Sequence, residues 1–130
     1  MNHADFWANL DPYPWLDQLA AKVKEYDTII LSHAVNPDCM VGKIQWLRKY
    51  LPWLADDAIF TKDKHLLAKA NRCLLDDSEV NCSAFIQNGG DAMLFPQRWN
   101  AFWELADSPL ERLPWPQIVR PNIIGVTYEM

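Results

Sequence analysis

Glycine is scarce in this chain, with four among 130 residues. A glycine-rich phosphate loop has little to be built from. The Gly42-Lys43 pair lacks both the earlier glycine and the following Ser or Thr of a P-loop. Cysteine is scarce and odd in number: Cys39, Cys73 and Cys82 show no disulfide-framework spacing. Neither they nor His33 and His65 show the paired spacing of a zinc site. A reduced, cytoplasmic compartment is the simpler expectation. Positive charge is short, with 12 Lys and Arg against 17 Asp and Glu, a net charge of −5. That disfavours binding to a nucleic-acid backbone. No apolar run is long enough to cross a bilayer, so no membrane partner is expected. Met1 to Asn9 lacks the basic-then-apolar order of a signal peptide. There is no internal repeat and no low-complexity stretch.

Apolar residues are plentiful: half the chain is hydrophobic, and seven residues are tryptophan. The length suits one domain with a real core. Most of the tryptophans read as core and interface anchors rather than as a stacking surface for a base. Helix and strand signals alternate. Pro14 to Tyr26 reads as a helix with an apolar face of Trp15, Leu16, Leu19, Ala20 and Val23. Thr28 to Leu31 is a short β-rich run. Asn36-Pro37 reads as an N-cap with proline at the first helical position, and Pro52 stops the helix that follows. Ala58 to Thr61, Cys73 to Leu75 and Ala92 to Phe95 read as strands. Asp63 to Ala70 reads as a short helix, and Ser78 caps another that ends at Gly89-Gly90. Trp99 to Ala106 is expected as a last helix. Residues 1–108 form the core of the expected domain. Residues 109–130 are a proline-rich extension with a strand at Ile123 to Tyr128, whose pairing nothing local fixes.

Apolar strands separated by helices imply an α/β fold, a parallel sheet with helices on both faces. Ligands bind such sheets beyond the carboxyl ends of the strands. The polar residues collect there: Ser32 after the first strand, Thr61 through Lys64 after the second, Asp76-Asp77 after the third. Ser32 offers a hydroxyl to a phosphate oxygen, and Lys43 or Lys64 offers positive charge. Asp76 and Asp77 offer the hard oxygens that Mg²⁺ prefers. Each alone has a bland account: a turn serine, solvated lysines, carboxylates that compensate a helix dipole. Their order on one α/β pattern is what points to a site. A Ser32-His33 pair is disfavoured, because adjacent residues of a strand face opposite ways.

These residues resemble the haloacid dehalogenase (HAD) superfamily, and within it the 5'(3')-deoxyribonucleotidase-like branch. The likeness is carried by Phe6-Trp7-Ala8-Asn9-Leu10-Asp11-Pro12-Tyr13-Pro14, Ile29-Ile30-Leu31-Ser32 and Gly42-Lys43-Ile44-Gln45-Trp46-Leu47. It continues through Ile59-Phe60-Thr61-Lys62-Asp63-Lys64, Cys73-Leu74-Leu75-Asp76-Asp77 and Gly89-Gly90-Asp91-Ala92-Met93-Leu94-Phe95-Pro96. The resemblance implies a three-layer Rossmann-like core. It implies that Ser32 binds the transferring phosphate and that Lys64 or Lys43 is the third-motif lysine. Asp77, with Asp76 beside it, would hold Mg²⁺, and Trp7 would lie near the substrate's leaving group.

The family's first motif is Asp-x-Asp, the nucleophile and its acid/base partner, and this chain contains no Asp-x-Asp. The family's first strand and most of its cap are therefore expected to be missing. That strand lies centrally, between those ending at Ser32 and Asp76, so its loss opens two strand edges. An intermolecular supply, from a homodimer or an N-terminal partner polypeptide, ranks first among the repairs. The flanking strands closing on each other, or the Ile123 to Tyr128 segment filling the slot, are the other two. The function expected is the C-terminal part of a Mg-dependent, nucleotidase-like phosphohydrolase, inactive alone. The alternative is a catalytically dead phosphate- or nucleotide-binding or assembly protein. A generic aryl phosphate with Mg²⁺ is expected to turn over at the background rate, because no positioned nucleophile is present; robust release of the phenol shows the nucleophile argument wrong.

Overall fold

The computed structural model describes residues 3–111, 113–116 and 122–124. Helix α3 (Pro37–Tyr50) starts where the sequence places it: Asn36 Oδ1 accepts the Cys39 amide at 2.8 Å, and Pro37 supplies a preset φ. Pro52 ends α3 and opens a further turn, α4 (Pro52–Ala55), in which its missing N–H costs nothing. Two shorter helices precede them, α1 (His3–Ala8) and α2 (Leu16–Val23). Helix α5 (Glu79–Gln87) is capped by Ser78 Oγ, which accepts the Asn81 amide at 3.2 Å. It ends at Gly89, whose φ of 96° is the left-handed conformation that glycine adopts freely.

The strands are β1 (Asp27–Ile29), β2 (Leu31–Ser32), β3 (Ile59–Phe60), β4 (Arg72–Asp76), β5 (Asp91–Leu94) and β6 (Asn122–Ile124). Among the described residues every pairing is parallel: β2 with β3, β1 with β6, β6 with β4, and β4 with β5. Only Ile30 separates β1 from β2. The α/β expectation holds at this level: helices and short parallel strand pairs build the chain.

Side-chain alternation along β4 explains why its sequence is a continuous apolar run. Cys73 and Leu75 enter the larger core with Leu16, Leu19, Val23, Trp46, Leu47, Met93 and Phe95. Leu74, between them, packs on the opposite face with Leu31 and Phe85. Both faces are covered, so neither set of alternate positions is polar.

The strand expected at Ile123 to Tyr128 is realised at Asn122–Ile124; residues 125–128 lie outside those described. Its pairing, which the sequence left open, is central: Asn122 registers with both Asp27 and Arg72, and Ile124 with both Ile29 and Leu74. The segment thus pairs on both sides, lying between β1 and β4. The residues up to Pro116 pack close to β1. Leu110, Leu113 and Trp115 pack on the larger core, Trp115 stacks near Tyr26, and Tyr26 donates its hydroxyl hydrogen to the Pro116 carbonyl at 2.6 Å. Tyr26 directly precedes β1, so the segment is anchored beside the strand it joins.

The helix expected over Trp99 to Ala106 does not form; only a 3₁₀ turn, Trp103–Leu105, does. Asn100 is the physical reason. Its amide donates to the Phe95 and Asp77 carbonyls, and its Oδ1 accepts the Gln97 and Phe102 amides. Side-chain bonds thereby replace the helical ladder. The short helix expected at Asp63 to Ala70 is a 3₁₀ turn, Lys64–Leu67.

Helix α1 lies tightly on α3. A Cβ on Gly42 would run into the Ala4 carbonyl oxygen and sit 2.6 Å from Trp7 Cβ. The carbonyl oxygen belongs to the backbone and the Cβ is bonded directly to it, so neither can swing aside. Gly42→Ala is expected to lower stability by about 1–3 kcal/mol through this overpacking, measured by urea unfolding; an unchanged midpoint shows that α1 does not pack there.

Candidate functional site

Strands β2 and β3 pair in one two-stranded sheet and β4 lies in the four-stranded sheet, and each of the three is followed by its polar residues. Two centres form there, and the two candidate lysines divide between them.

In the first, Lys43 reaches from α3 to the end of β2. Its Nζ donates to Ser32 Oγ at 3.0 Å and to the His33 carbonyl at 2.7 Å. The Trp7 ring stands over the same ammonium at 4.9 Å, a cation–π contact made possible by the close α1–α3 packing. Ser32 and Lys43 are both buried. Among the described residues no carboxylate is paired with Lys43. Ser32, Lys43 and Trp7 are thus brought together.

In the second, Lys64 crosses from the turn after β3 to the end of β4, where Nζ lies 2.8 Å from Asp76 Oδ2. The pair is almost fully inaccessible, at 4% and 1% exposure. Asp76 also accepts the Ser78 amide on Oδ1 and the Asn81 side-chain amide on Oδ2, and the Asp77 side chain hydrogen-bonds to it. Burial pushes the Asp76 carboxyl up. The Lys64 charge, the Asp77 and Lys64 hydrogen bonds and the Ser78 amide outweigh that and hold it below the ordinary 3.8. Asp77 accepts the Trp99 indole N–H on Oδ2 at 2.9 Å, and its carbonyl accepts from Asn100. Trp99 forms part of the wall of a cavity of about 730 Å³, with Tyr13, Trp15, Gln97 and Arg98.

Asn81, Trp99 and Asn100 are functional neighbours that the sequence reading missed. Asn81 sits in the first turn of α5, directly after the carboxylates, and that position was a usable signal. Trp99 lies 22 residues from Asp77 and no local pattern connects them.

A cysteine nucleophile is disfavoured by burial, which pushes the Cys73 and Cys82 thiols up to about 12. For magnesium, the carboxylates present are a poor donor set. A carboxylate has about four lone-pair sites, and Asp76 uses its own on Lys64, Asn81, Ser78 and Asp77. Among the described residues no group of three or more His, Cys, Asp or Glu side chains is placed to hold a metal ion.

Comparisons with family models, with curated proteins and with solved structures found no match. Among the described residues no helix is long and apolar enough to cross a membrane.

Lys64→Met alone leaves a buried, uncompensated carboxylate and is expected to cost about 3–5 kcal/mol, whereas Lys64→Met with Asp76→Leu is expected to recover most of it. The pH dependence follows from the lowered Asp76 carboxyl. Its contribution is complete above its unfolded value near 3.8 and is lost as pH falls through the lower folded value. The double variant should therefore lose less stability on acidification below that pH. Denaturant titrations at several acid pH values check this; identical pH profiles for wild type and double variant count against the assignment.

Proposed function

We propose that this chain is a phosphate-binding relative of the HAD phosphohydrolases that holds a phosphoryl group at Ser32 and Lys43 and does not hydrolyse it. The observation that carries the reading is the set of partners around the buried Lys43 side chain. A buried ammonium is costly unless compensated, and here the compensation comes from a hydroxyl, a carbonyl and an aromatic face, all neutral. An anion supplies what those groups do not. Ser32 Oγ accepts from Lys43, so its own hydrogen is available to donate to a phosphate oxygen.

The strand order supports the same reading. Strand β6 lies between β1 and β4, the place that the family gives to the strand bearing its two aspartates. Taken as a HAD-like three-layer core, the chain has that slot filled by Asn122, Ile123 and Ile124, with neither aspartate. This favours a binder over the C-terminal part of a hydrolase that awaits a strand from elsewhere. The cavity walled by Trp99 and joined to Asp77 through the indole bond falls within the roughly 300–1,000 Å³ of ordinary ligand pockets. Its lining does not include Ser32, Lys43 or Trp7, so the reading concerns the phosphate at Lys43 and not this cavity.

Calorimetry with inorganic phosphate and with a deoxynucleoside monophosphate tests the reading. Binding is expected, and Lys43→Met should weaken it by about tenfold or more, the loss of one charged hydrogen-bond partner. Ser32→Ala should weaken it less. No heat at millimolar ligand removes the proposal.

A further inference from the structure

Asp76 and Asp77 are the residues that the resemblance assigns to a magnesium ion, and their surroundings point elsewhere. We infer that the carboxylate pair works without a divalent metal: the Lys64 ammonium holds the positive charge opposite Asp76, and the Ser32–Lys43 anion site needs no metal. The second half of this inference rests on the phosphate-binding reading above.

The argument is one of donor occupancy. Magnesium binds at about 2.0–2.1 Å in near-octahedral geometry and gives up its water reluctantly, so it needs carboxylate lone pairs that point into open space. Asp76 has none. Oδ2 is taken by Lys64 at 2.8 Å and Asn81 at 3.2 Å, and Oδ1 by the Ser78 amide at 3.0 Å. The Asp77 side chain bonds to the same carboxylate. At 1% exposure there is no water-filled approach through which a hydrated ion could replace one of these partners.

Charge argues the same way. Lys64 neutralises Asp76 where it stands, and the neighbouring Asp77 side chain is engaged as well, with one oxygen held by Trp99 and a hydrogen bond to Asp76. Entry of a metal at Asp76 would also expel the ammonium and strand Lys64, itself 4% exposed, without its carboxylate. A buried charge robbed of its partner is strongly unfavourable. The cation demand of this rim is therefore met internally, by a side chain.

Manganese is the probe of choice, since it shares magnesium's preference for carboxylate and water ligands and its free ion is read by paramagnetic resonance. With the full chain, Mn²⁺ is expected to stay free at millimolar concentration. Lys64→Met exposes the need for a cation at Asp76, and that variant is expected to bind Mn²⁺ at least about tenfold more tightly than wild type. Manganese should raise the thermal midpoint of the variant and leave that of wild type unchanged. Phosphate calorimetry should give the same affinity in EDTA and in excess Mg²⁺.

Wild-type Mn²⁺ binding that Asp77→Asn abolishes overturns the inference, as does phosphate heat that appears only with Mg²⁺. If Lys64→Met does not fold, the wild-type titration with its Asp77→Asn control decides alone. Absence of phosphate heat in both buffers is a different failure: it defeats the anion-binding reading and the half of the inference built on it. The manganese titration then still judges the carboxylate pair.

Discussion

Two strand edges that face each other across the width of one strand must both be satisfied, and that constraint organises this molecule. The carboxyl side of β1 leads to Ser32, and the carboxyl side of β4 leads to Asp76. With nothing between them, the backbone N–H and C=O groups of both edges would lack partners in the middle of the fold, where each is costly to bury. Strand β6 answers both at once, in parallel register on each side. Its three residues do more for the architecture than their number suggests, because the spacing between the two polar centres is set by what lies in that slot. The Tyr26–Pro116 hydrogen bond and the stacking of Trp115 near Tyr26 bring the segment to the first strand from alongside.

The two lysines illustrate how the same side chain takes opposite roles through its partners. Lys64 meets a full carboxylate in a site closed to water, and the pair is electrically self-contained. Among the described residues Lys43 meets dipoles and a ring face. The first arrangement fixes structure: its worth lies in the penalty for breaking it rather than in net stabilisation. The second leaves charge unspent. Helix α1 matters to the second through Gly42, whose missing side chain lets Trp7 come down onto the ammonium. A site of this kind is distributed over α1, α3 and β2, which is why no contiguous motif marks it.

Much of the framework was legible in the sequence. Asn36-Pro37 and Ser78 start helices through caps that act within three residues, and the double-faced burial of β4 is written in the run Cys73-Leu74-Leu75. Most residues of the two hydrogen-bonded clusters were also named from the sequence, since Ser32, Lys43, Lys64, Asp76 and Asp77 follow strand ends or sit on the next helix. What one-dimensional reading did not supply was their pairing. Whether Lys43 or Lys64 stands by Ser32 depends on how far each side chain reaches across the sheet rim, and both are long enough. The helix expected at Trp99 to Ala106 failed for a related reason. Asn100 and Trp99 spend their polar atoms on partners distant in sequence, and helix propensity has no term for that. The tail was harder still: an Asn-Ile-Ile triplet after a proline carries no mark of the place it will occupy, because that place is defined by strands formed far earlier in the chain.

Strand β6 also has a consequence for biogenesis. Every other described strand emerges from the ribosome before it does, so the nascent protein passes through a stage in which helices and flanking strands exist while the middle of the sheet is still inside the exit tunnel. During that interval the open ladder is a template for any extended peptide nearby, and such species are prone to mispairing. Only when Asn122–Ile124 has left the tunnel can the facing edges of β1 and β4 both be paired.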